Sequence, residues 1–247
     1  MRHKVILAAL VVAAIAPAQS QQPKAFEAAS IKPMELGGVM MGFSSSGSRV
    51  RLEGYNAFYL IAEAFHLRFY QILRNGAFQD SDPYYFITAK AEGDGAPTRA
   101  EFREMLQTLL ADRFKLKFHR ETRETPVYAL VVANGGPKFR ESAPDTPRKA
   151  NHGVNGRYQN MDFTQATMEE LADGIGVDRP VLDQTGLTGK YDFKVEATPE
   201  FRINRDPDPT DISIFDALQR TLGLKLEARK VPVEILIVDH IEKPTEN

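Results

Sequence analysis

The chain has no cysteine and no tryptophan among its 247 residues. Without cysteine there is no disulfide, no lipid-attachment thiol and no thiol chemistry, so the folded chain must be held together by its apolar core alone. A basic excess is also lacking, since 31 Lys and Arg stand against 33 Asp and Glu, a net charge of -2. Proteins that bind nucleic acid usually carry such an excess, and we therefore expect no nucleic-acid partner.

Long apolar runs are lacking as well, except at the start of the chain. Residues 2–4 are basic, residues 5–16 are apolar without interruption, and small residues follow as far as Ala18. This order is typical of a signal peptide, and the run is too short to cross a membrane, which takes about 20 apolar residues. We expect a signal peptide over 1–18 and an exported mature chain, periplasmic or extracellular, with no transmembrane segment.

Two stretches of the chain echo each other. Residues 101–132 read as a helix, a short strand, a turn at Pro126 and a second strand, and residues 211–239 repeat that order around Pro232. A unit used twice in one chain is more often scaffold than catalyst. The repeat predicts an α+β fold of two related modules, each with helices packed on one face of a small mixed sheet.

The module boundaries follow from composition. The first module is predicted over 26–134 and the second over 156–242, with a Gly-, Pro- and Asn-rich linker over 135–155 between them. The glycine- and serine-rich segment 37–47 is predicted to be a flexible loop. Strands are expected over 114–121 and 126–133.

Three helix starts carry a capping signature. Asn56 is the expected N-cap of a helix over 57–66. Thr98 and Thr167 are each followed three residues later by glutamate, Glu101 and Glu170, which is the pattern of a capping box. A further helix is predicted over 212–222.

Several blocks together resemble a known family. The blocks are LLADRFKLK at 109–117, PVYALVV at 126–132 and VLDQTGLTGKYDF at 181–193. In this order they resemble the DUF3738 or soil-associated proteins of Acidobacteria and related bacteria, over essentially the whole mature chain. The resemblance implies an exported protein of uncharacterised function. Some members of the family look like sensor parts fused to antirepressor-type membrane peptidases. More distantly, each module resembles in topology the small N-terminal domains of secretins and TonB, which bind partners in the periplasm.

One candidate binding surface is a basic row on a predicted strand. Apolar Phe114, Leu116 and Phe118 alternate with basic residues, which places the basic side chains on one face. These basic residues are Arg113, Lys115, Lys117 and His119. The row is a candidate site for an anionic glycan, a phosphate headgroup or a carboxylate-rich partner. The alternative is a solvated strand face that protects a sheet edge.

A glycine turn is the second candidate. It contains Asp183, Thr185, Gly186 and Gly189, and its glycines would let backbone amides approach an anion closely. The alternative is a structural turn in which Asp183 accepts from backbone amides and the glycines take positive φ.

Metal and catalytic patterns are weaker. Asp206, Asp208 and Asp211 alternate as calcium ligands do, but the glycine and final glutamate of the known loop are missing, so an acidic surface loop is predicted. The histidines lie apart in sequence, and we expect no metal and no cofactor. The segment around Ser44 resembles a nucleophile elbow only superficially, because no core strand and helix flank it.

These patterns favour a non-catalytic binding or sensor module for an envelope glycan or a protein partner. The alternative is a hydrolase whose site forms between the two modules, near Ser44 and His66. A third reading is an element of envelope assembly, which would self-associate in solution.

Overall fold

The fold is mixed α/β, with three small sheets and few helices in the part of the chain that the structure describes. The structure is a computed structural model, and it describes residues 23–34, 41–79 and 82–244. The predicted signal peptide and part of the predicted loop 37–47 lie outside these ranges. The mixture of helices and small sheets predicted from the sequence is confirmed.

The elements are numbered in chain order. The strands are β1 Ala28–Met34, β2 Gly42–Ser46, β3 Arg49–Tyr55, β4 Ile72–Leu73, β5 Tyr84–Lys90, β6 Lys117–Val132, β7 Lys149–Asn155, β8 Tyr158–Ala166, β9 Val181–Asp183, β10 Tyr191–Ala197 and β11 Leu224–His240. The α-helices are α1 Ala57–Phe65, α2 Arg99–Arg113, α3 Met168–Gly174, α4 Glu200–Arg205 and α5 Ile214–Ala217. A 3-10 turn, Phe69–Gln71, precedes β4, and a π-helical turn, Leu218–Leu222, follows α5.

The chain divides into two compact units. The first comprises residues up to Leu67, Gly76–Lys117 and the residues from Asp239 onward, and the second comprises Arg68–Asn75 and Phe118–Val238. Both units therefore draw on separate parts of the chain. Each module predicted from the sequence, over 26–134 and 156–242, by contrast takes one continuous stretch of chain. The internal repeat stays a prediction.

The first unit contains a four-stranded antiparallel sheet in the order β1-β5-β3-β2. Side chains along its central strands alternate between buried and exposed. Val50, Leu52 and Ile87 are buried, while Arg51 and Thr88 beside them are exposed. Helix α2 lies on the buried side, where Phe102 packs edge-to-face on Phe43 of β2 with 5.0 Å between ring centroids. The sheet thus has one face in the core and one in solvent.

All three predicted helix caps are confirmed. The Asn56 side chain accepts from the Tyr59 amide at 3.1 Å at the start of α1. At the start of α2 the Thr98 amide donates to the Glu101 carboxylate at 2.9 Å, and the Glu101 amide donates back to the Thr98 hydroxyl. The same reciprocal pair joins Thr167 and Glu170 at the start of α3. Each cap satisfies backbone amides that the first helical turn leaves without partners.

The second unit contains a three-stranded sheet, β10-β8-β7, and a four-stranded sheet, β4-β11-β6-β9. Its main core joins Leu130 of β6 to Phe163 of β8, Phe193 of β10, Leu171 of α3 and Leu218 of the π-helical turn. A smaller apolar cluster of β11 residues is covered by Tyr70 of the 3-10 turn.

The predicted turn at Pro126 is wrong, because β6 runs without interruption from Lys117 to Val132. Proline has no N–H to donate, so it is tolerated in a strand only where that side has no partner. On its β9 side, β6 pairs only over Tyr128–Leu130, which begins after Pro126. Strand β11 likewise passes through Pro232, and its pairing with β4 is confined to Leu236 and Ile237.

Three further segments differ from prediction. Gly42–Ser46, predicted as flexible loop, is strand β2, which pairs with β3 through a turn at Gly47. Lys149–Asn155, predicted as linker, is edge strand β7. The helix predicted over 212–222 starts two residues later, after the N-cap Ser213, and widens into the π-helical turn.

The π-helical turn ends at a tightly packed glycine. Gly223 has φ +64, and a Cβ on it would lie 2.2 Å from the Gly136 carbonyl oxygen. The Lys138 ammonium donates to the carbonyl of Arg220 at 3.0 Å and that of Gln219 at 3.3 Å, which satisfies carbonyls at the end of the helix. Only glycine permits both this backbone angle and this approach.

We predict that Gly223→Ala lowers the free energy of unfolding by at least about 2 kcal/mol, since positive φ and overlap with the Gly136 carbonyl act together. Urea unfolding of the purified chain measures this. Gly156→Ala is the matched control, because Gly156 has φ +61 but a Cβ added to it would meet no atom within 4 Å. Equal losses in the two variants would show that the close contact contributes nothing.

Candidate functional site

The four predicted basic residues do not lie on one strand face. Arg113 is the last residue of α2, Lys115 lies in the turn that follows, and only Lys117 and His119 belong to β6. Arg113 donates to the Ala29 carbonyl of β1 at 3.5 Å, and the His119 ring contacts the Glu121 carboxylate at 3.2 Å. The strand predicted over 114–121 therefore begins only at Lys117, and the prediction is wrong over residues 114–116.

The reason is that α2 continues further than the alternation implied. The Phe114 amide donates to the Leu110 carbonyl, and the Leu116 amide donates to the same carbonyl at 3.1 Å. Lys115 takes the left-handed conformation, φ +53, which turns the chain out of the helix. Phe114 and Leu116 are buried as predicted, but they are buried at a helix end, whereas Phe118 is exposed.

The glycine turn has the geometry of the structural alternative. The Asp183 carboxylate accepts from the Thr185 amide at 2.9 Å and from its hydroxyl at 2.8 Å, and the Leu187 amide donates to that hydroxyl at 3.1 Å. Gly186 takes positive φ, +73. Gly189 does not, but a Cβ there would lie 2.8 Å from the Tyr191 hydroxyl oxygen. Close packing, as well as backbone angle, accounts for the two glycines.

The acidic loop is closed by an arginine. Arg157 donates to both oxygens of Asp211 at 2.7 Å and to Asp206 at 3.4 Å. The Asp208 amide donates to Asp211 at 2.8 Å, and the Asp208 carboxylate accepts from the Thr210 amide at 2.8 Å. The three carboxylates therefore have partners within the chain, and their arrangement is that of an ion-paired surface loop.

Histidine and carboxylate clusters suited to a metal are absent from the described residues. The His119 and His240 rings each contact a glutamate two residues further on, Glu121 at 3.2 Å and Glu242 at 2.8 Å. His152 contacts the Gln159 amide at 2.8 Å. Each of these rings is thus held by a local partner on the surface.

The solvent face of the first sheet carries a broad concave surface, a groove with a volume of about 570 Å³. Its floor consists of small side chains, and its remaining lining includes three cationic residues and several hydroxyl groups. The cationic residues are Arg49, Arg51 and Lys90, and the hydroxyl groups include those of Ser30, Ser44 and Thr88. We refer to this surface as the sheet-face groove.

Strand register brings these residues together in two rows. One row crosses the sheet as Ser30, Thr88, Arg51 and Ser44, and the next crosses it as Ala28, Lys90, Arg49 and Ser46. Neighbouring residues in a row lie on adjacent strands, about 4.8 Å apart, and the rows are two residues, about 7 Å, apart. Arginine, lysine and hydroxyl groups therefore converge on an area a few residues across.

The cations of the sheet-face groove are only weakly neutralised. Lys90 pairs with Glu27 at 2.7 Å and Arg51 with Glu53 at 3.1 Å, and both pairs are exposed. The Arg51 guanidinium also lies 4.6 Å from the centre of the Phe86 ring, which fixes its position over the face. Arg49 forms no ion pair within the described part of the chain. Exposed pairs of this kind contribute about 0–1 kcal/mol, so an anion can replace the glutamates at small cost.

Sequence reasoning missed this site, although part of its signal was present. Arg49 and Arg51 alternate with the apolar residues Val50 and Leu52, which is the period-two pattern of a half-buried strand. The pattern places both arginines on one face. It does not reveal that Thr88 and Ser44, far away in sequence, lie beside them.

Comparison with known proteins identifies the family. Residues 59–241, well over half of the chain, match the family described as protein of unknown function (DUF3738). The chain belongs to the DUF3738 family. The DUF3738 part of the resemblance seen in the sequence is thereby confirmed. No curated protein and no solved structure gives a significant match to this DUF3738 chain.

The helices of the DUF3738 chain are short, and α2 has 15 residues. Within 23–34, 41–79 and 82–244, no helix combines the length and the apolar character needed to cross a bilayer.

The bidentate ion pair at the acidic loop should make the stability of the fold depend on pH. Arg157 donates two hydrogen bonds to ionised Asp211, and this holds the pKa of Asp211 well below its ordinary value. A carboxyl with a lowered folded pKa stabilises the fold above its unfolded pKa, about 3.9, and the contribution is lost as pH falls through the folded value. We therefore expect Asp211→Asn to lower the free energy of unfolding at pH 7 and pH 5, with a smaller deficit at pH 3.

Urea unfolding at the three pH values measures this deficit. Asp206→Asn is the control, because the Asp206 side chain is 86% exposed and its contact with Arg157 is longer. A deficit for Asp211→Asn that stays the same from pH 7 to pH 3 would contradict the ion-pair explanation.

Proposed function

We propose that this DUF3738 protein is exported and binds an anionic component of the cell envelope in the sheet-face groove, without catalysis. The observation that carries the proposal is the meeting of Arg49, Arg51 and Lys90 over a floor of small and hydroxyl-bearing side chains. The two-module arrangement similar to secretin and TonB N-terminal domains belongs to the same proposal, since those domains bind periplasmic partners.

Charge complementarity supports an anionic ligand. Among the groove-lining residues the ionisable side chains are all cationic, while the neighbouring glutamates, Glu27 and Glu53, lie outside the lining. A concave surface of one sign attracts ligands of the opposite sign and raises their local concentration. Arginine is especially suited to this task, because its planar fork donates two parallel hydrogen bonds to a carboxylate or phosphate.

Rigidity supports the same function. The groove lies on β3 and β5, which are the two central strands of the sheet, and both are hydrogen bonded on each side. Binding groups placed on such strands keep their spacing without a cost for ordering a loop. The backbone positions of the three cations are therefore set before the ligand arrives.

The export part of the proposal is tested at the predicted cleavage site. We expect the protein recovered from cells to begin at Gln19, because Ala16 and Ala18 supply the small residues that signal peptidase requires. N-terminal sequencing and intact mass of the protein from the extracytoplasmic fraction measure this. Ala18→Arg should leave the precursor uncleaved, and a protein that keeps Met1 in the wild type would contradict export by this route.

The binding part is tested with isolated envelope material. We expect the mature chain to sediment with purified envelope fractions in low salt, and Arg49→Glu to reduce the bound fraction at least about tenfold, since charge reversal replaces attraction by repulsion. Lys117→Glu is the matched control: it makes the same charge change in the same unit but outside the groove. Equal binding by Arg49→Glu and the wild type would reject the groove, and loss only in Lys117→Glu would favour the basic residues near α2.

A further inference from the structure

The chemistry of the sheet-face groove specifies its ligand more narrowly than charge alone. Its polar groups are of two kinds, cationic side chains and aliphatic hydroxyls, and each of its two rows contains both kinds on neighbouring strands. Thr88 lies between Ser30 and Arg51 in one row, and Arg49 lies between Lys90 and Ser46 in the other. A ligand that fills the groove therefore meets a cation and a hydroxyl within one strand spacing of each other, about 4.8 Å.

Backbone amides contribute little to this surface. Sites that select phosphate commonly use clustered amides in a nest or at a helix N-terminus. Strands β3 and β5, which carry the three cations, each pair with strands on both sides, so their amides are engaged in the sheet. The available donors are the side chains of Arg49, Arg51 and Lys90 together with the hydroxyls.

This combination matches a carboxylated sugar. A carboxylate accepts the guanidinium fork in bidentate fashion, and sugar hydroxyls both donate to and accept from serine and threonine hydroxyls. The groove volume of about 570 Å³ falls in the range of about 300–1,000 Å³ found for small-ligand sites. An open groove of that size on a sheet face suits a short stretch of a chain that continues beyond it on both sides.

We infer that the sheet-face groove binds an acidic polysaccharide, with carboxylates held by Arg49, Arg51 and Lys90 and ring hydroxyls held by Ser30, Thr88 and Ser44. This inference rests on the proposed function and adds the ligand class to it. Glu27 and Glu53 occupy Lys90 and Arg51 in the free protein, and the ligand carboxylates replace them. Binding therefore exchanges one carboxylate partner for another.

The experiment is calorimetric titration of the mature protein with three defined probes. They are an oligogalacturonate, the same oligosaccharide with its carboxylates methyl-esterified, and vesicles of phosphatidylglycerol. The oligogalacturonate should bind, with an affinity that falls as salt is raised. The methyl ester and the vesicles should bind at least about tenfold more weakly, since the first lacks the charge and the second lacks the sugar hydroxyls in register with the floor.

Two matched substitutions separate the cation from the hydroxyls. Arg49→Ala should weaken oligogalacturonate binding about 10- to 100-fold, as expected for a charge-assisted hydrogen bond, with Lys117→Ala unchanged. Thr88→Val keeps the side-chain volume and removes the hydroxyl, and it should weaken binding about two- to tenfold. Thr88→Ser, in contrast to Thr88→Val, keeps the hydroxyl and should bind as the wild type does. Urea unfolding of each variant confirms that the fold is kept.

The outcomes distinguish this inference from the proposed function. Envelope binding that depends on Arg49, combined with no binding of oligogalacturonate, would overturn the polysaccharide and leave the groove in place. Tighter binding of the vesicles than of the oligosaccharide would overturn the inference in favour of a lipid headgroup. Equal binding of the methyl ester and the free acid would overturn it in favour of an uncharged glycan. Envelope binding that does not depend on Arg49 would reject the groove as the binding site.

Discussion

Antiparallel pairing of β1, β5, β3 and β2 determines which side chains of the first unit meet the core and which meet solvent. In a pleated strand successive side chains point to opposite faces, so burial of one set commits the other set to the surface. Ile31, Ile87 and Leu52 lie opposite one another in this register and are buried, and Thr88 and Arg51 in the adjacent row are exposed. A slip of one residue in β3 would exchange Arg51 for Leu52 in the core. The hydrophobic contacts that stabilise the first unit thus also fix the positions of the groove cations.

Local features of the fold were predictable because their causes lie within a few residues. The N-caps at Asn56, Thr98 and Thr167 depend on a side chain and an amide three residues away, and a sequence displays that spacing directly. The Asp183 turn is similar, since its carboxylate bonds two groups of Thr185. The apolar stripe of α2 follows from helical periodicity alone.

The groove and the long strands were not predictable, because their causes lie between distant segments. Pro126 reads as a break until one knows that β9 pairs with β6 only beyond it. Alternation at Arg113 reads as a strand, whereas the left-handed turn at Lys115 is set by helix closure at Leu110. Nor does any local pattern show that β9 and β10, neighbours along the chain, join different sheets. Register between remote strands is the information that a single sequence does not display.

The same register bears on how the proposed binding site would discriminate between anions. Three exposed cations on one open surface would attract many anions, but Glu27 and Glu53 hold two of them in weak pairs and lower that general attraction. A ligand must then supply carboxylates that compete with these glutamates. It binds more tightly than simple anions only if it makes further contacts with the floor. The floor offers hydroxyls at Ser30, Thr88 and Ser44 in the same row as Arg51. Selectivity of the proposed site would therefore arise from the difference between ligands that reach both kinds of group and ligands that reach the cations alone.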